Sequence, residues 1–254
     1  MKGLVIKDLM CLRKQLILFG FTVASVMVLA VMFVLSVRFG NIGKMVEDML
    51  ATKPDFNFTQ KDINNMAILS LLTFMFLPIA CVGDFANVFE ADGKAGFAKV
   101  SAFLPISIER RVLAKYITIL MMFGIGVGVD LAITAVLSAV TDLVSFWDYS
   151  KSLLTAASVM SIYGAIEIVF CFLFGHGKED YARMAAFISL VSAVILLNLK
   201  KIKVLLTSSE FYPYDGMVRF LENKCYLFCL TAVLVMSASY VASVSIAKRK
   251  RGIV

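Results

Sequence analysis

Two carboxylates, Asp130 and Glu167, lie inside long apolar stretches of the chain. An ionised acid facing lipid costs several kcal/mol, so each needs a partner or a task. At ~1.5 Å per helical residue the two sit at similar depths, ~15 Å and ~21 Å from the same end of their runs. That placement fits a polar site for a cationic or amphipathic molecule, or a proton-linked pair. It equally fits hydrogen bonding to neighbouring helices through Thr118, Thr134, Ser161 or Tyr163. A second chemically capable group, Asp84, Glu90, Asp92 and Lys94, stands between two apolar runs beside a Gly-Lys-Ala-Gly turn at 93–96.

The remaining inventory argues against catalysis by the chain itself. His176 is the single histidine and has no partner set for a metal or a nucleophile. The five cysteines, Cys11, Cys81, Cys171, Cys225 and Cys229, form no CxxC pair. Cys225 and Cys229, one helical turn apart, read as small packing residues. Gly93-Lys94-Ala95 lacks both the earlier glycine and the Ser or Thr of a phosphate-binding loop, and no polar stretch is long enough for a nucleotide domain. Gly124-Ile-Gly-Val-Gly128 superficially resembles a dinucleotide fingerprint, but no strand precedes it, so close helix packing is the expected role. The expectation is a chain that is not an enzyme and binds no cofactor of its own.

What positions these groups is an unusually apolar chain. Sixty per cent of its 254 residues are hydrophobic, 17 per cent are charged, and the mean hydropathy is +0.88. A water-soluble domain carries roughly a quarter charged residues. A bilayer lifts that requirement, because lipid-facing side chains are apolar. Six runs approach the ~20 residues that a spanning helix needs: 15–37, about 66–83, 112–140, 153–175, 181–199 and 225–247. The fifth is the weakest, with Arg183 near its start. Alternating strands and hairpin turns do not recur, so the expected class is an all-α integral membrane protein with six transmembrane helices. Residues 15–37 are too long for the apolar region of a cleavable leader and read as the first span. Pro78 is expected to kink or end a helix in the second.

Six spans place both termini on one side. The segments on that side hold fifteen Lys and Arg, the opposite ones ten, which puts both ends in the cytoplasm of a cell membrane. Lys248-Arg249-Lys250-Arg251 is the firmest anchor. The net charge of +7 is then a topology signal, and no soluble basic domain remains for nucleic acid. Residues 1–15 place Lys7, Asp8, Cys11, Lys14 and Gln15 on one helical face and Val5, Leu9, Leu12 and Leu16 on another. This pattern suits an in-plane helix with its lysines and Arg13 near anionic headgroups.

The longest inward segment, 84–115, carries the acidic group, the glycine turn and an amphipathic stretch from Phe97 to Leu104. Phe97, Val100 and Leu104 share a face, with Phe103 beside them. Pro105 ends the stretch, and Ser107 can cap a new helix favoured by Glu109. A short helix lying across two long ones presents apolar knobs beneath the membrane. The outward segment 200–224, with Lys200, Lys201 and Lys203, is too long for a tight turn.

Here the chain resembles the small, stand-alone permeases of type-two ATP-binding-cassette (ABC) exporters, common in Gram-positive bacteria. The resemblance rests on Asp92, Gly96-Phe97, Leu104-Pro105-Ile106-Ser107 and Lys115-Tyr116 in that order, and on the opening Met1-Lys2-Gly3 with Lys7 and Asp8. Gly93 and Ile108 depart from the pattern, standing where an acid and an arginine are usual. The resemblance implies that Asp92, Lys94, Phe97, Val100, Phe103 and Leu104 form a coupling segment seated on a separate ATPase. That ATPase would supply ATP and Mg chemistry. It further implies pairing with a second permease copy or paralogue, and export of an amphipathic peptide, a drug or a lipid. The alternatives are a non-transporting membrane enzyme or scaffold, or a secondary transporter, which would carry an inverted repeat of broken helices.

Overall fold

The structure, a computed structural model, describes residues 2–38, 77–97, 106–140, 146–207 and 224–251. Among these every regular element is a helix. They are α1 (Lys2–Cys11), α2 (Arg13–Arg38), α3 (Leu77–Val82), α4 (Asn87–Lys94), α5 (Ile108–Val140), α6 (Phe146–Phe174), α7 (Glu179–Thr207) and α8 (Cys225–Arg251). Among the described residues three stretches are long and apolar enough to cross a bilayer: Ile108–Val136, Ser150–Phe174 and Cys225–Lys250. A fourth candidate is the pair Lys2–Cys11 and Arg13–Leu29, bent by 62° at the break. Most of the second apolar run, residues 66–76, lies outside the described residues, as do residues 208–223 of the segment 200–224 expected to face outward, and Val100, Phe103 and Leu104.

The centre of the bundle is α6, which packs along α8, α7 and α5, while α1, α3 and α8 also lean on α5. The core is built from Ile79, Val82, Phe85 and Phe89 of the 77–94 segment, Val112, Ile119, Met122 and Phe123 of α5, and Leu153 and Ile168 of α6. Phe85 meets Phe123 edge to face at 5.7 Å, and Phe89 meets Phe172 likewise at 5.0 Å, the offset geometry that aromatic quadrupoles favour. The outer surfaces of α2 and α8 are apolar, with Phe21, Met32, Tyr226, Leu230, Val233 and Leu234 exposed. Such surfaces belong in lipid.

Polar side chains tie the helices where apolar packing gives no direction. The Tyr116 hydroxyl lies 2.6 Å from Ser239 Oγ and 3.1 Å from Ser243 Oγ, and Ser239 donates to the Ala165 carbonyl at 2.6 Å. One chain of hydroxyls thereby joins α5, α8 and α6. Ser158 Oγ and Cys229 Sγ are 3.3 Å apart, which makes that cysteine a packing contact between α6 and α8. Helix α5 starts at Ile108, and the carbonyl of Ser107 just before it accepts from the Arg111 N–H.

Two local expectations are qualified. Gly124 and Gly128 are exposed, with nothing within 4 Å of where a Cβ would stand among the described residues, while Gly126 between them is buried. The close approach is at Gly164, where the Phe85 ring occupies the space that a Cβ would need. The first helix also differs from a simple in-plane amphipath. Lys2, Arg13 and Lys14 are exposed, but Asp8 is buried and Lys7 turns toward the protein, because partners wait for them there.

Gly164 yields a test whose sign is diagnostic. Gly→Ala within a helix ordinarily stabilises by about 0.5–1 kcal/mol. Here Gly164→Ala is expected to destabilise by about 1–3 kcal/mol through overpacking, and the penalty should vanish in a Phe85→Ala background. Thermal unfolding in detergent micelles reads both. A stabilising Gly164→Ala in the unaltered protein would show that the ring does not sit there.

Candidate functional site

The bend after α1 folds the first helix against α5 and α4. Four charges from three elements meet there. Lys7 Nζ lies 2.6 Å from Asp8 Oδ1 and 2.5 Å from Asp92 Oδ1; Lys115 Nζ lies 3.2 Å from Asp8 Oδ1 and 2.5 Å from Asp92 Oδ2. Each acid faces both lysines and each lysine both acids, so the charges balance. Lys115 also donates to the Val88 carbonyl at 3.2 Å, reaching the first turn of α4. The acids are well shielded, with side chains 2 per cent (Asp8) and 7 per cent (Asp92) exposed. A buried acid of this kind is tolerable only when paired. Lys7 Nζ also stands 3.6 Å from the centroid of the Phe97 ring, a cation–π contact that fixes the residue opening the amphipathic stretch.

The electrostatics follow from this geometry. Burial alone would raise the Asp92 carboxyl, but the Lys115 and Lys7 ammonium groups outweigh it and hold Asp92 below its ordinary value of 3.8. Burial would lower the Lys7 ammonium, but hydrogen bonds and attraction from Asp8 and Asp92 win and raise it above 10.5.

The other side of α4 is held by Arg183 at the base of α7. Its Nε reaches Asp84 Oδ1 at 3.1 Å, one terminal nitrogen reaches Asp180 at 2.5 Å, and the other reaches Asn87 at 2.9 Å and Glu90 at 3.1 Å. Glu90 also accepts from Lys94 at 2.5 Å one turn along α4, and these two donors, Lys94 first, hold its carboxyl below the ordinary range. After α4 the chain turns at Gly96, whose φ of +66° is a left-handed conformation that glycine adopts without strain. The turn brings Phe97 under Lys7.

Of the residues singled out in the sequence, Asp92 and Phe97 are brought together around Lys7, and Lys94 stands on the exposed face of α4 paired with Glu90. Val100, Phe103 and Leu104 lie outside the described residues. Glu167 and Asp130 are both fully buried, and among the described residues their contacts are with different partners. Glu167 Oε2 accepts from the Phe85 N–H at 3.1 Å, with Arg183 Nε at 3.9 Å from Oε1. The Asp130 carboxylate faces the backbone of Ile79 in α3, 51 positions earlier, without a well-formed hydrogen bond among the described residues. Three of the four hydroxyls considered as partners are engaged elsewhere: Thr118 with the Ala114 carbonyl, Thr134 with the Asp130 backbone carbonyl, and Tyr163 with the Arg183 carbonyl. Among the described residues no group of three or more His, Cys, Asp or Glu is arranged to hold a metal.

The sequence alone does not show the roles of Lys7, Asp8, Lys115 and Arg183. The first three are motif residues in separate places, and Arg183 interrupts an apolar run. The available signal was that each acid of the inward segment needs a cation and each basic residue at a span end needs an anion.

The cluster's pH response is expected to be flat across neutrality and to fail at the extremes. Asp92, being lowered, contributes stability that is present above 3.8 and lost as pH falls through its folded value. Lys7, being raised, contributes stability that is present below 10.5 and lost as pH rises through its folded value. Spin labels at Lys2→Cys and Ala95→Cys should keep one distance distribution from about pH 5 to 9 and broaden in acid. Broadening near pH 6–7 would contradict the cluster.

One comparison identifies relatives: the family model described as ABC-2 family transporter protein matches residues 54–248. No curated protein and no solved structure matches the chain.

Proposed function

The chain belongs to the ABC-2 transporter family, and on that premise we propose that it is the membrane permease of an exporter driven by a separate ATPase. Asp92, Lys94, Phe97, Val100, Phe103 and Leu104 form the surface on which the ATPase acts. The observation that carries the reading is the attachment of Asp92 and Phe97 to Lys7 and Lys115. It ties the inward segment to the base of α5 and to the bent first helix.

The same end of the bundle gathers both chain ends, since Leu4 and Lys7 share one cavity with Phe89, Phe97, His176, Ala247 and Lys250. The basic residues Lys2, Arg13, Lys14, Arg110 and Lys248–Arg251 belong to these same helix ends, which supports a cytoplasmic position for both termini in a six-span chain. Under this reading residues 1–15 are an elbow helix, 84–115 the coupling segment and 200–224 an extracellular segment. Closure of two ATPase subunits would push on the segment around Phe97, and the ion pairs would pass the displacement to α1, α5 and α7. Six spans supply half a pathway, so the working unit contains a second copy or a paralogue. The cargo is an amphipathic molecule, a peptide first among peptide, drug and lipid, in keeping with the small Gram-positive exporters that the motif resembles.

Phe97→Asp is expected to abolish co-purification with the ATPase, or to uncouple ATP hydrolysis from export, while membrane insertion stays at the unaltered level. Normal export by that variant would place the coupling surface elsewhere.

A further inference from the structure

Between α1, the start of α5 and the ends of α6 and α8 lies a cavity of about 290 Å³. Its walls include Ile108 and Val112 at the beginning of one apolar span, Cys171 and Phe172 at the end of another, and Ala247 and Lys250 at the end of a third. That level is where hydrocarbon gives way to headgroups. Among the described residues the lining holds four basic side chains, Lys7, Arg111, Lys115 and Lys250, against two acids, Asp8 and Asp92. The acids are taken up by Lys7 and Lys115. Lys250 instead donates to a neutral group, the Leu173 carbonyl, at 2.7 Å. Lys250 is therefore a positive charge of the lining beyond those two pairs. The rest of the wall is apolar and aromatic, with Phe89, Phe97 and Phe172. On the outside of α1, Ile6 and Met10 are exposed.

We propose that this cavity is a binding site for the phosphate-bearing headgroup of an anionic phospholipid of the adjacent leaflet. The volume is at the lower end of the ~300–1,000 Å³ typical of small-molecule sites, which suits a phosphate and glycerol while the acyl chains run out along Leu4, Ile6 and Met10. Lys250 faces the phosphate and the aromatic rings face the glycerol and first methylenes. A zwitterionic lipid brings its own cation into the same space and loses that match. The site stands on the cavity alone and does not depend on ATPase docking.

The test uses the full-length protein purified in detergent and mixed with equal amounts of phosphatidylglycerol and phosphatidylcholine of matched chains, with retained lipid counted by native mass spectrometry. The unaltered protein is expected to retain phosphatidylglycerol preferentially. Lys250→Glu, which reverses a lining charge, and Ala247→Phe, which fills the space, should each cut that retention about tenfold or more. Arg249→Glu makes the same change in net charge one residue away, outside the lining, and should leave retention intact. Glycerol phosphate added in excess should displace little lipid, since it lacks the chains. Equal retention of both lipids by the unaltered protein would overturn the site without reliance on any variant. Equal loss in Arg249→Glu and Lys250→Glu would show diffuse surface attraction instead, and full displacement by glycerol phosphate would make it a free-anion site.

Discussion

Everything where α1, α4 and α5 meet depends on two acids that cannot stay buried alone. Asp8 and Asp92 are shielded from water, and each is acceptable there only because Lys7 and Lys115 both reach it. The cluster has no redundancy of charge, since removing any one member leaves two like charges facing a single opposite one. Its members come from α1, α4 and α5, so satisfying the charges is the same event as docking the three elements. Apolar packing is non-directional and would let the bent first helix slide; the ion pairs give it a register. The Phe97 ring against Lys7 extends that register into the segment read as the coupling surface.

Arg183 provides the second half of a clamp. One guanidinium reaches Asp84, Asn87 and Glu90 along the 84–90 segment and Asp180 on its own helix. The short helix α4 is thus gripped by α1 and α5 at Asp92 and by α7 at Glu90. Glu167 adds α6 to the same assembly through the Phe85 N–H. A push on the residues following α4 has few soft paths available, because each neighbour is joined by charge-assisted bonds of fixed geometry. Under the proposed coupling, displacement would be passed on as movement of whole helices, the behaviour that a transport lever requires.

The helices were legible in the sequence, and their chemistry much less so. Long apolar runs specify a membrane helix through composition, a signal that survives without knowledge of partners, and the runs at 112–140, 153–175 and 225–247 fall within α5, α6 and α8 to within a residue. The helix α4 was not anticipated: with Glu90, Asp92, Gly93 and Lys94 in eight residues it has little intrinsic preference, and it forms because Val88, Phe89 and Asp92 find partners. The Lys7–Asp92 and Lys115–Asp8 contacts join residues 85 and 107 positions apart, so no local pattern announces them. Motif resemblance marked most of these residues but could not say that they touch. The same blindness to partners explains the glycines, where a GxxxG spacing drew attention to Gly124 while the close approach is at Gly164.

A double-mutant cycle on Asp92→Asn and Lys115→Met measures the central interaction directly, with thermal unfolding of the purified permease as the readout. If the two side chains sustain one shared cluster, the double variant is less destabilised than the sum of the singles by about 1 kcal/mol or more. Additive losses would mean that Asp92 and Lys115 act independently and that the junction of α1, α4 and α5 is held by something else.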